Sequence, residues 1–101
     1  MQKSYYVYIL QCADGSYYTG VTSTLEKRVA EHQIGIDSLC YTYTRRPVVL
    51  KFSADFQNVH DAIAREKQIK RWSRRKKEAL IAGDFSKLVK LSKHHPSTSS
   101  G

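Results

Sequence analysis

The sequence predicts an α+β fold in which a small three-stranded antiparallel sheet is flanked by helices, in the order β-β-α-β-α-α. Residues 5–21 hold two runs rich in aromatic and β-branched residues on either side of Asp14-Gly15, a dipeptide typical of a β-hairpin turn. Residues 47–53 have the composition of a third strand, whose proline stands first, where no sheet hydrogen bond is lost. Three later segments begin with a helix-capping residue and continue with helical periodicity.

The first strand of the predicted hairpin has no polar face. Its side chains alternate between Tyr6, Tyr8 and Leu10 on one face and Tyr5, Val7 and Ile9 on the other. We therefore expect other parts of the chain to cover both faces. A tight two-residue turn at Asp14-Gly15 would bring the two strands together. Gly20 has no Cβ, so it allows a neighbouring backbone or a ligand to come close.

The first helix is predicted over residues 23–35. Ser23 and Glu26 have the spacing of a capping box, and Gly35 is placed to end the helix in a left-handed conformation. Helical spacing places four side chains on the inward face: Leu25, Arg28, Val29 and His32. Two of these four are polar, which is unusual for a face that should point to the core.

The second helix is predicted to begin at Asn58 and to continue to about Trp72. Its inward stripe is Val59, Ala62, Ile63, Glu66, Ile69 and Lys70. Glu66 lies near the middle of this stripe. A carboxylate there must be paired, coordinated to a metal or protonated, because an isolated buried charge is too costly. Between the first helix and the third strand, residues 36–46 show no regular period and are predicted to form a loop.

The third helix is predicted over residues 74–82, with Ser73 as its cap and Gly83 as its end. Its first turn is cationic, although a helix N-terminus already carries partial positive charge, and a bound anion would resolve this conflict. A final segment, residues 84–92, offers four apolar side chains to pack back on the core: Phe85, Leu88, Val89 and Leu91. The polar residues 93–101 are predicted to be a disordered tail.

The composition of the 101-residue chain predicts one domain, over residues 1–92. No apolar run approaches the length of a membrane span, and the N-terminus does not have the pattern of a secretory signal, so we expect a cytoplasmic protein without membrane contact. Cys12 and Cys40 have no metal-binding spacing and are predicted to be free thiols.

Positive charge is concentrated in one segment. The formal net charge is +8, and residues 65–77 contain eight Lys/Arg and one Glu, a balance of +7. Such a segment is typical of a protein that contacts phosphates, although a solvated helix face is an equally good interpretation. The candidate nucleic-acid contacts are Lys67, Lys70, Arg71, Arg74, Arg75 and Lys76, with Arg45 and Arg46 from the loop.

The inward polar residues suit hydrolysis of a phosphodiester. Glu66 can anchor a divalent cation, and Arg28 can neutralise a phosphate through its forked donors. A tyrosine can accept a proton from water only if nearby positive charge lowers its pKa. Each residue also has a structural interpretation: Arg28 and Glu66 as a buried ion pair, His32 as a satisfied core histidine, and most tyrosines as packing residues.

An ordered set of motifs resembles the GIY-YIG nuclease superfamily, and within it the small stand-alone bacterial proteins. The set is Tyr6-Val7-Tyr8, then Tyr18-Thr19-Gly20 with its tyrosine ten residues after Tyr8, then Arg28, His32 and Glu66, and the likeness spans residues 4–82. It implies a β-β-α-β-α-α fold and a single divalent ion, Mg²⁺ or Mn²⁺, held by Glu66. It further implies that Arg28 stabilises the phosphate, that Tyr18 is the general base or positions the water with Tyr8 assisting, and that His32 supports the tyrosine.

The leading hypothesis is a metal-dependent endonuclease acting on DNA or RNA, of which DNA is the favoured candidate. Its cleavage is expected to be structure-selective, weakly selective or directed by a protein partner that supplies target choice. The alternative is a nucleic-acid-binding module that has kept the fold and lost turnover, because no asparagine follows Glu66 as it does in many active members of the superfamily. A third hypothesis is that the basic helices bind an acidic protein partner.

Overall fold

The helices and strands follow the predicted order, with one further helix at the end. The computed structural model describes residues 3–93. Its elements are β1 (Tyr5–Gln11), β2 (Tyr17–Thr22), α1 (Leu25–Ile34), β3 (Val49–Phe56), α2 (Val59–Lys70), α3 (Arg74–Ala82) and α4 (Phe85–Lys93). A short 3₁₀ helix, Tyr43–Arg45, lies in the predicted loop. The described residues divide into two compact units, residues 3–71 and residues 72–93. Over residues 3–93, none of the helices has the length and apolar character needed to span a membrane.

β1 is the central strand, because the strands are arranged in the order β2-β1-β3 and both pairs are antiparallel. Four consecutive side chains of β1 are at most 1% exposed: Val7, Tyr8, Ile9 and Leu10. Leu25 and Val29 of α1 pack with Tyr8 and Leu10 on one face, and α2 packs on β1 and β2. Since successive side chains of a strand point to opposite faces, the prediction that both faces are covered is confirmed.

The hairpin turn is longer than predicted. The Cys12 N–H donates to the Ser16 carbonyl (2.8 Å), and the Gly15 N–H donates to the Cys12 carbonyl (2.9 Å), so the loop consists of Ala13, Asp14 and Gly15. Gly15 has a positive φ of 86°, whereas Asp14 does not have a positive φ. The predicted two-residue turn is therefore wrong, because that turn needs positive φ at both of its residues. The Asp14 carboxylate instead accepts from the Ser16 N–H (3.0 Å).

The start of α1 differs from the prediction, and its end does not. The N-cap is Thr24, whose side chain makes no capping hydrogen bond, so the capping box of Ser23 and Glu26 is wrong. The reason is that β2 continues to Thr22, which leaves only a short bend before the helix. Gly35 ends the helix with a φ of 81°, as predicted.

α2 has the predicted cap, and five of the six side chains predicted to face inward are buried or half-buried. The Asn58 side chain accepts from the backbone N–H of His60 (2.8 Å) and of Asp61 (3.3 Å). The buried residues of α2 are Ala62, Glu66 and Ile69. Lys70 was predicted to face inward and is exposed, because its long side chain keeps the ammonium in water while that ammonium pairs with Glu66. β3, which precedes α2, was predicted over residues 47–53 and spans Val49–Phe56 in the structure.

The second unit contains α3 and α4, which pack against each other. The Ser73 hydroxyl accepts from the Lys76 N–H (3.2 Å), and Gly83 ends α3 with a φ of 71°, so the predicted bounds of this helix are confirmed. The final segment is also helical, and two of its four apolar side chains, Phe85 and Val89, are 65% and 51% exposed. Lys93, predicted as the first residue of a disordered tail, ends α4, and the rest of that tail lies outside the described residues.

Candidate active site

Two tyrosines and a histidine meet on one face of the sheet. In the register of β1 and β2, Leu10 is opposite Tyr18 and Tyr8 is opposite Gly20, so both tyrosines lie on the same face. Their ring centroids are 6.4 Å apart. His32, from α1, lies with its ring centroid 5.9 Å from that of Tyr8 and 5.0 Å from that of Tyr18. The structure therefore brings together Tyr8, Tyr18 and His32, three of the predicted site residues.

Gly20 makes room for this cluster. A Cβ at Gly20 would overlap the Tyr8 ring, including its hydroxyl. The Tyr8 ring therefore lies directly over the backbone of β2, and only a residue without a side chain fits beneath it. A close approach at Gly20 was predicted for a backbone or a ligand; the close approach is confirmed, but the neighbour is the Tyr8 side chain.

A chain of hydrogen bonds runs from Tyr8 into the loop after α1. The Tyr8 hydroxyl is 2.9 Å from His32 Nε2, and His32 Nδ1 is 2.8 Å from Thr42 Oγ1. Thr42 Oγ1 donates in turn to Cys40 Sγ (3.5 Å). Neither Thr42 nor Cys40 was predicted as a site residue, and no local signal marks them, since a threonine in a polar loop is ordinary.

Burial keeps the cluster uncharged at neutral pH. Burial raises the pKa of Tyr8, the neighbouring Tyr18 raises it further, and Arg28 acts in the opposite direction. Burial also raises the pKa of Tyr18, with Cys40 adding to the shift. Burial and the charge of Arg28 lower the pKa of His32. The condition for a tyrosine base is therefore not met in the protein alone, because burial outweighs the charge of Arg28.

The cluster borders a cavity of about 300 Å³. Its walls come from β2, α1 and the loop after α1: Tyr18, Arg28, Glu31, His32, Gly35, Ile36, Asp37, Cys40 and Thr42. Arg28 was predicted to face the core, but its side chain is 45% exposed and pairs with Glu31 one turn along the helix (3.2 Å). A guanidinium at the edge of the stripe stays in solvent because burial would cost its hydration. Arg28 therefore forms part of the cavity wall.

Glu66 is buried on α2, with 8% of its surface exposed. Its Oε2 atom is 2.9 Å from the Lys70 ammonium, so the expected pairing of this carboxylate is confirmed. The alternative ion pair between Arg28 and Glu66 is not formed, because each of them pairs with a neighbour on its own helix. Glu66 is not among the residues that line the cavity. Its negative charge nevertheless acts on the cluster, because it contributes to the raised pKa of Tyr18.

Glu66 can serve as a single protein ligand for Mg²⁺ or Mn²⁺. Within residues 3–93, no group of three or more His, Cys, Asp or Glu side chains is placed to hold a metal ion. Mg²⁺ does not require such a group, because it is commonly bound by one or two carboxylates and completes its shell with water and phosphate oxygens. A nearly buried carboxylate whose partner is an exposed lysine fits that pattern.

The two loop arginines, Arg45 and Arg46, each make several contacts with other groups of the protein. Arg45 stacks on the Tyr41 ring (3.8 Å), donates to the Tyr41 carbonyl (2.7 Å) and pairs with Asp14 (3.2 Å). Arg46 stacks on Tyr43 (4.6 Å) and donates to the carbonyl groups of that residue and of Ile34 (both 2.8 Å). These contacts show that both arginines shape the loop, and their predicted role in nucleic-acid binding stays a prediction.

The remaining basic residues lie on α2 and in the second unit. On and just after α2, the exposed ones are Lys67, Lys70 and Arg71. In the second unit, Arg75 is exposed, Arg74 pairs with Glu78 (3.1 Å) and the Lys76 ammonium lies over the Trp72 ring (4.5 Å). Each unit thus presents cations to solvent, and their binding to nucleic acid stays a prediction.

The fold is that of a small catalytic domain of the nuclease type. The GIY-YIG catalytic domain matches residues 4–79, and the chain belongs to this family, a superfamily of nucleases. A UPF0213 protein of Halobacterium salinarum is 46% identical over 77 residues, which cover 76% of this chain and 99% of the relative. A UPF0213 protein of Staphylococcus haemolyticus is also 46% identical, over 76% of this chain and 93% of its own.

Two solved structures are similar to this chain. The solution NMR structure of a UPF0213 protein from Bacillus halodurans has a TM-score of 0.52 and 40% identity, and the match covers 78% of this chain and 83% of that one. The solution NMR structure of a protein from E. faecalis has a TM-score of 0.56 and 34% identity, with 94% and 97% covered. The resemblance stated from the motifs is therefore confirmed, both for the family and for its small members.

Proposed function

We propose that the protein is a divalent-metal-dependent endonuclease that hydrolyses phosphodiester bonds in nucleic acid. The observation that carries this proposal is the cavity in which Tyr18, Arg28 and His32 meet, in a chain of the GIY-YIG family. Tyr8 contributes through its hydrogen bond to His32, which lines the cavity. The proposed catalytic residues are Tyr8, Tyr18, Arg28 and His32, with Glu66 as the metal ligand.

Arg28 is proposed to bind the scissile phosphate. Its guanidinium is 45% exposed and lines the cavity, so a phosphate reaches it without disturbing the core. The forked donors of arginine match two phosphate oxygens at once, which orients the phosphate as well as neutralising it. The pairing with Glu31 holds the guanidinium in place before substrate arrives.

Tyr18 is proposed to orient the attacking water and to accept its proton. The Tyr18 side chain is half-buried and faces the cavity, where its hydroxyl can contact water beside a phosphate held by Arg28. Glu66 would hold the divalent cation, whose positive charge would stabilise the leaving oxygen and act on Tyr18 in the direction that lowers its pKa. His32, neutral at pH 7, shares a hydrogen bond with the Tyr8 hydroxyl (2.9 Å) and lies beside Tyr18 in the wall of the cavity.

The test of this function is cleavage of defined substrates by the purified protein. Branched, single-stranded and duplex DNA, and RNA of matched length, are incubated with Mg²⁺ or Mn²⁺ and separately with EDTA. We expect cleavage of at least one substrate with metal and none with EDTA, and we expect DNA to be cut in preference to RNA. Addition of cell extract depleted of nucleases tests whether a protein partner directs target choice.

A matched pair of tyrosine variants connects the activity to this site. Tyr18→Phe is expected to reduce the cleavage rate by about a hundredfold or more, the contribution typical of one acid–base group. Tyr17→Phe removes the equivalent hydroxyl oxygen from the neighbouring tyrosine, which lies on the opposite face of β2. This control variant should leave the cleavage rate close to that of the wild type. If every substrate survives intact, or if EDTA has no effect, the proposed function is wrong.

A binding module without turnover is the second candidate function. It is favoured by the pairing of Glu66 with Lys70 (2.9 Å), which already satisfies the carboxylate. In that case, binding to nucleic acid survives Glu66→Ala and weakens as salt is added.

Salt dependence identifies the residues that bind phosphate. Replacing Arg71, Arg74 and Arg75 by glutamine should reduce the slope of log K against log salt by about 0.9 for each duplex phosphate that the variant no longer neutralises. The control is the same loss of charge elsewhere, with Lys27, Lys51 and Lys87 replaced by glutamine. Equal effects of the two triple variants would show that only net charge matters, and would contradict the assignment of these arginines.

A further inference from the structure

Thr42 is the buried residue of a loop, residues 36–46, whose other residues are exposed or half-buried. It is 1% exposed, whereas its neighbours Leu39 and Tyr41 are 93% and 43% exposed. Its hydroxyl is 2.8 Å from His32 Nδ1 and 3.5 Å from Cys40 Sγ. A hydroxyl placed between an imidazole and a thiol has both a donor and an acceptor to satisfy, so its orientation is coupled to the proton on the imidazole.

In one tautomer of His32, the Tyr8 hydroxyl, the imidazole N–H and the Thr42 hydroxyl each have an acceptor within the hydrogen-bond chain. A neutral imidazole carries one N–H, and the other ring nitrogen accepts. If Nδ1 carries the proton, it donates to Thr42 Oγ1, the Thr42 hydroxyl donates to Cys40 Sγ, and Nε2 accepts from the Tyr8 hydroxyl. In the opposite tautomer, Nδ1 accepts from the Thr42 hydroxyl or from the Cys40 thiol (3.7 Å), while Nε2 donates to the buried Tyr8 hydroxyl, which then needs another acceptor.

We propose that Thr42 is a positioning residue for the reaction, which holds His32 in the Nδ1–H tautomer and so aims the lone pair of Nε2 at the Tyr8 hydroxyl. This inference rests on the proposed nuclease function for its effect on rate, but not for its effect on the tautomer. In this arrangement the Tyr8 hydroxyl is polarised and the imidazole ring has a fixed orientation, and both rings lie next to Tyr18. Loss of the Thr42 hydroxyl frees the ring to turn and to change tautomer.

The direct test reads the tautomer of His32 without any substrate. Two-bond ¹H–¹⁵N correlation spectra distinguish a protonated from an unprotonated ring nitrogen. In the wild type, Nδ1 of His32 is expected to show the shift of a protonated nitrogen and Nε2 that of an unprotonated one. A wild-type spectrum with the proton on Nε2 overturns the proposal, whether or not the protein cuts nucleic acid.

Two variants that are similar in size to threonine separate the effect of the hydroxyl group from the effect of packing at residue 42. Thr42→Val keeps the shape and removes the hydroxyl, and it is expected to mix the two tautomers and to lower kcat about tenfold with KM unchanged, the effect of one hydrogen bond. Thr42→Ser keeps the hydroxyl and is expected to retain the wild-type tautomer and most of kcat.

The outcomes distinguish this inference from the proposed function. Thr42→Val with an unchanged tautomer and unchanged kcat overturns the positioning role. If Thr42→Val melts below the assay temperature, the spectra of the wild type and of Thr42→Ser still decide, because a serine variant with the altered tautomer also overturns it. If the wild-type protein cuts no substrate, the proposed function fails, while the spectra continue to test the role of Thr42 in holding His32.

Discussion

Replacing Glu66 by glutamine is expected to lower metal-dependent cleavage by about a thousandfold, a loss of about 4 kcal/mol of transition-state stabilisation. Glutamine keeps the volume of the side chain and removes the charge that would hold the cation. The variant should fold, because the partner that loses its ion pair, Lys70, has a side chain that is 54% exposed and remains hydrated. The measurement is the single-turnover rate with saturating Mg²⁺ or Mn²⁺, together with a calorimetric titration of Mn²⁺.

The matched control for this variant is Glu26→Gln. Glu26 is an exposed glutamate in the first turn of α1, so the control makes the same chemical change away from the cluster. Its cleavage rate and Mn²⁺ affinity should equal those of the wild type. A Glu66→Gln variant that cuts at the wild-type rate would show that this carboxylate is structural and that any metal is held elsewhere.

Replacing Gly20 by alanine is expected to destabilise the fold by about 3 kcal/mol, at the upper end of what overpacking costs. The added Cβ would lie 2.5 Å from Cζ and 2.9 Å from Cε1 of Tyr8, which is too close for non-bonded carbon atoms. The Tyr8 ring has little freedom to move, since it is 1% exposed and bonded to His32. Thermal melting should therefore occur about 15 °C lower than in the wild type.

Two controls separate the steric clash from a general intolerance of substitution. Gly83→Ala has a positive φ of 71° but meets no atom within 4 Å, so it should cost only about 1 kcal/mol. In a Tyr8→Ala background, Gly20→Ala should cost much less than in the wild type, because the ring is absent. A double-mutant cycle without coupling would contradict the contact.

Features set by a few neighbouring residues could be predicted from the sequence. Ser73 and Gly83 give the bounds of α3 and Asn58 gives the start of α2, because capping depends on one side chain and the adjacent backbone N–H groups. The burial of Glu66 follows from helical spacing alone, and so does the need for a partner. The close approach at Gly20 also follows from the residue type.

Features set by distant parts of the chain could not be predicted. The hairpin turn takes a longer form because Asp14 bonds to Ser16 and pairs with Arg45, which lies 31 residues away. Thr42 reaches the cluster only through the course of its loop, which has no periodic pattern. Arg28 satisfied the helical spacing of a buried residue but lies at the edge of the stripe, where a charge prefers water.

The two loop arginines have a consequence for how the site meets its substrate. Arg45 ties the loop to Asp14 in the hairpin turn, and Arg46 ties it to the Ile34 carbonyl at the end of α1. The segment that carries Thr42 is therefore fastened at both of these points before any substrate arrives. Its conformational entropy is lost during folding and not at each binding event, so this wall of the cavity is preorganised, and substrate binding should order few further residues there.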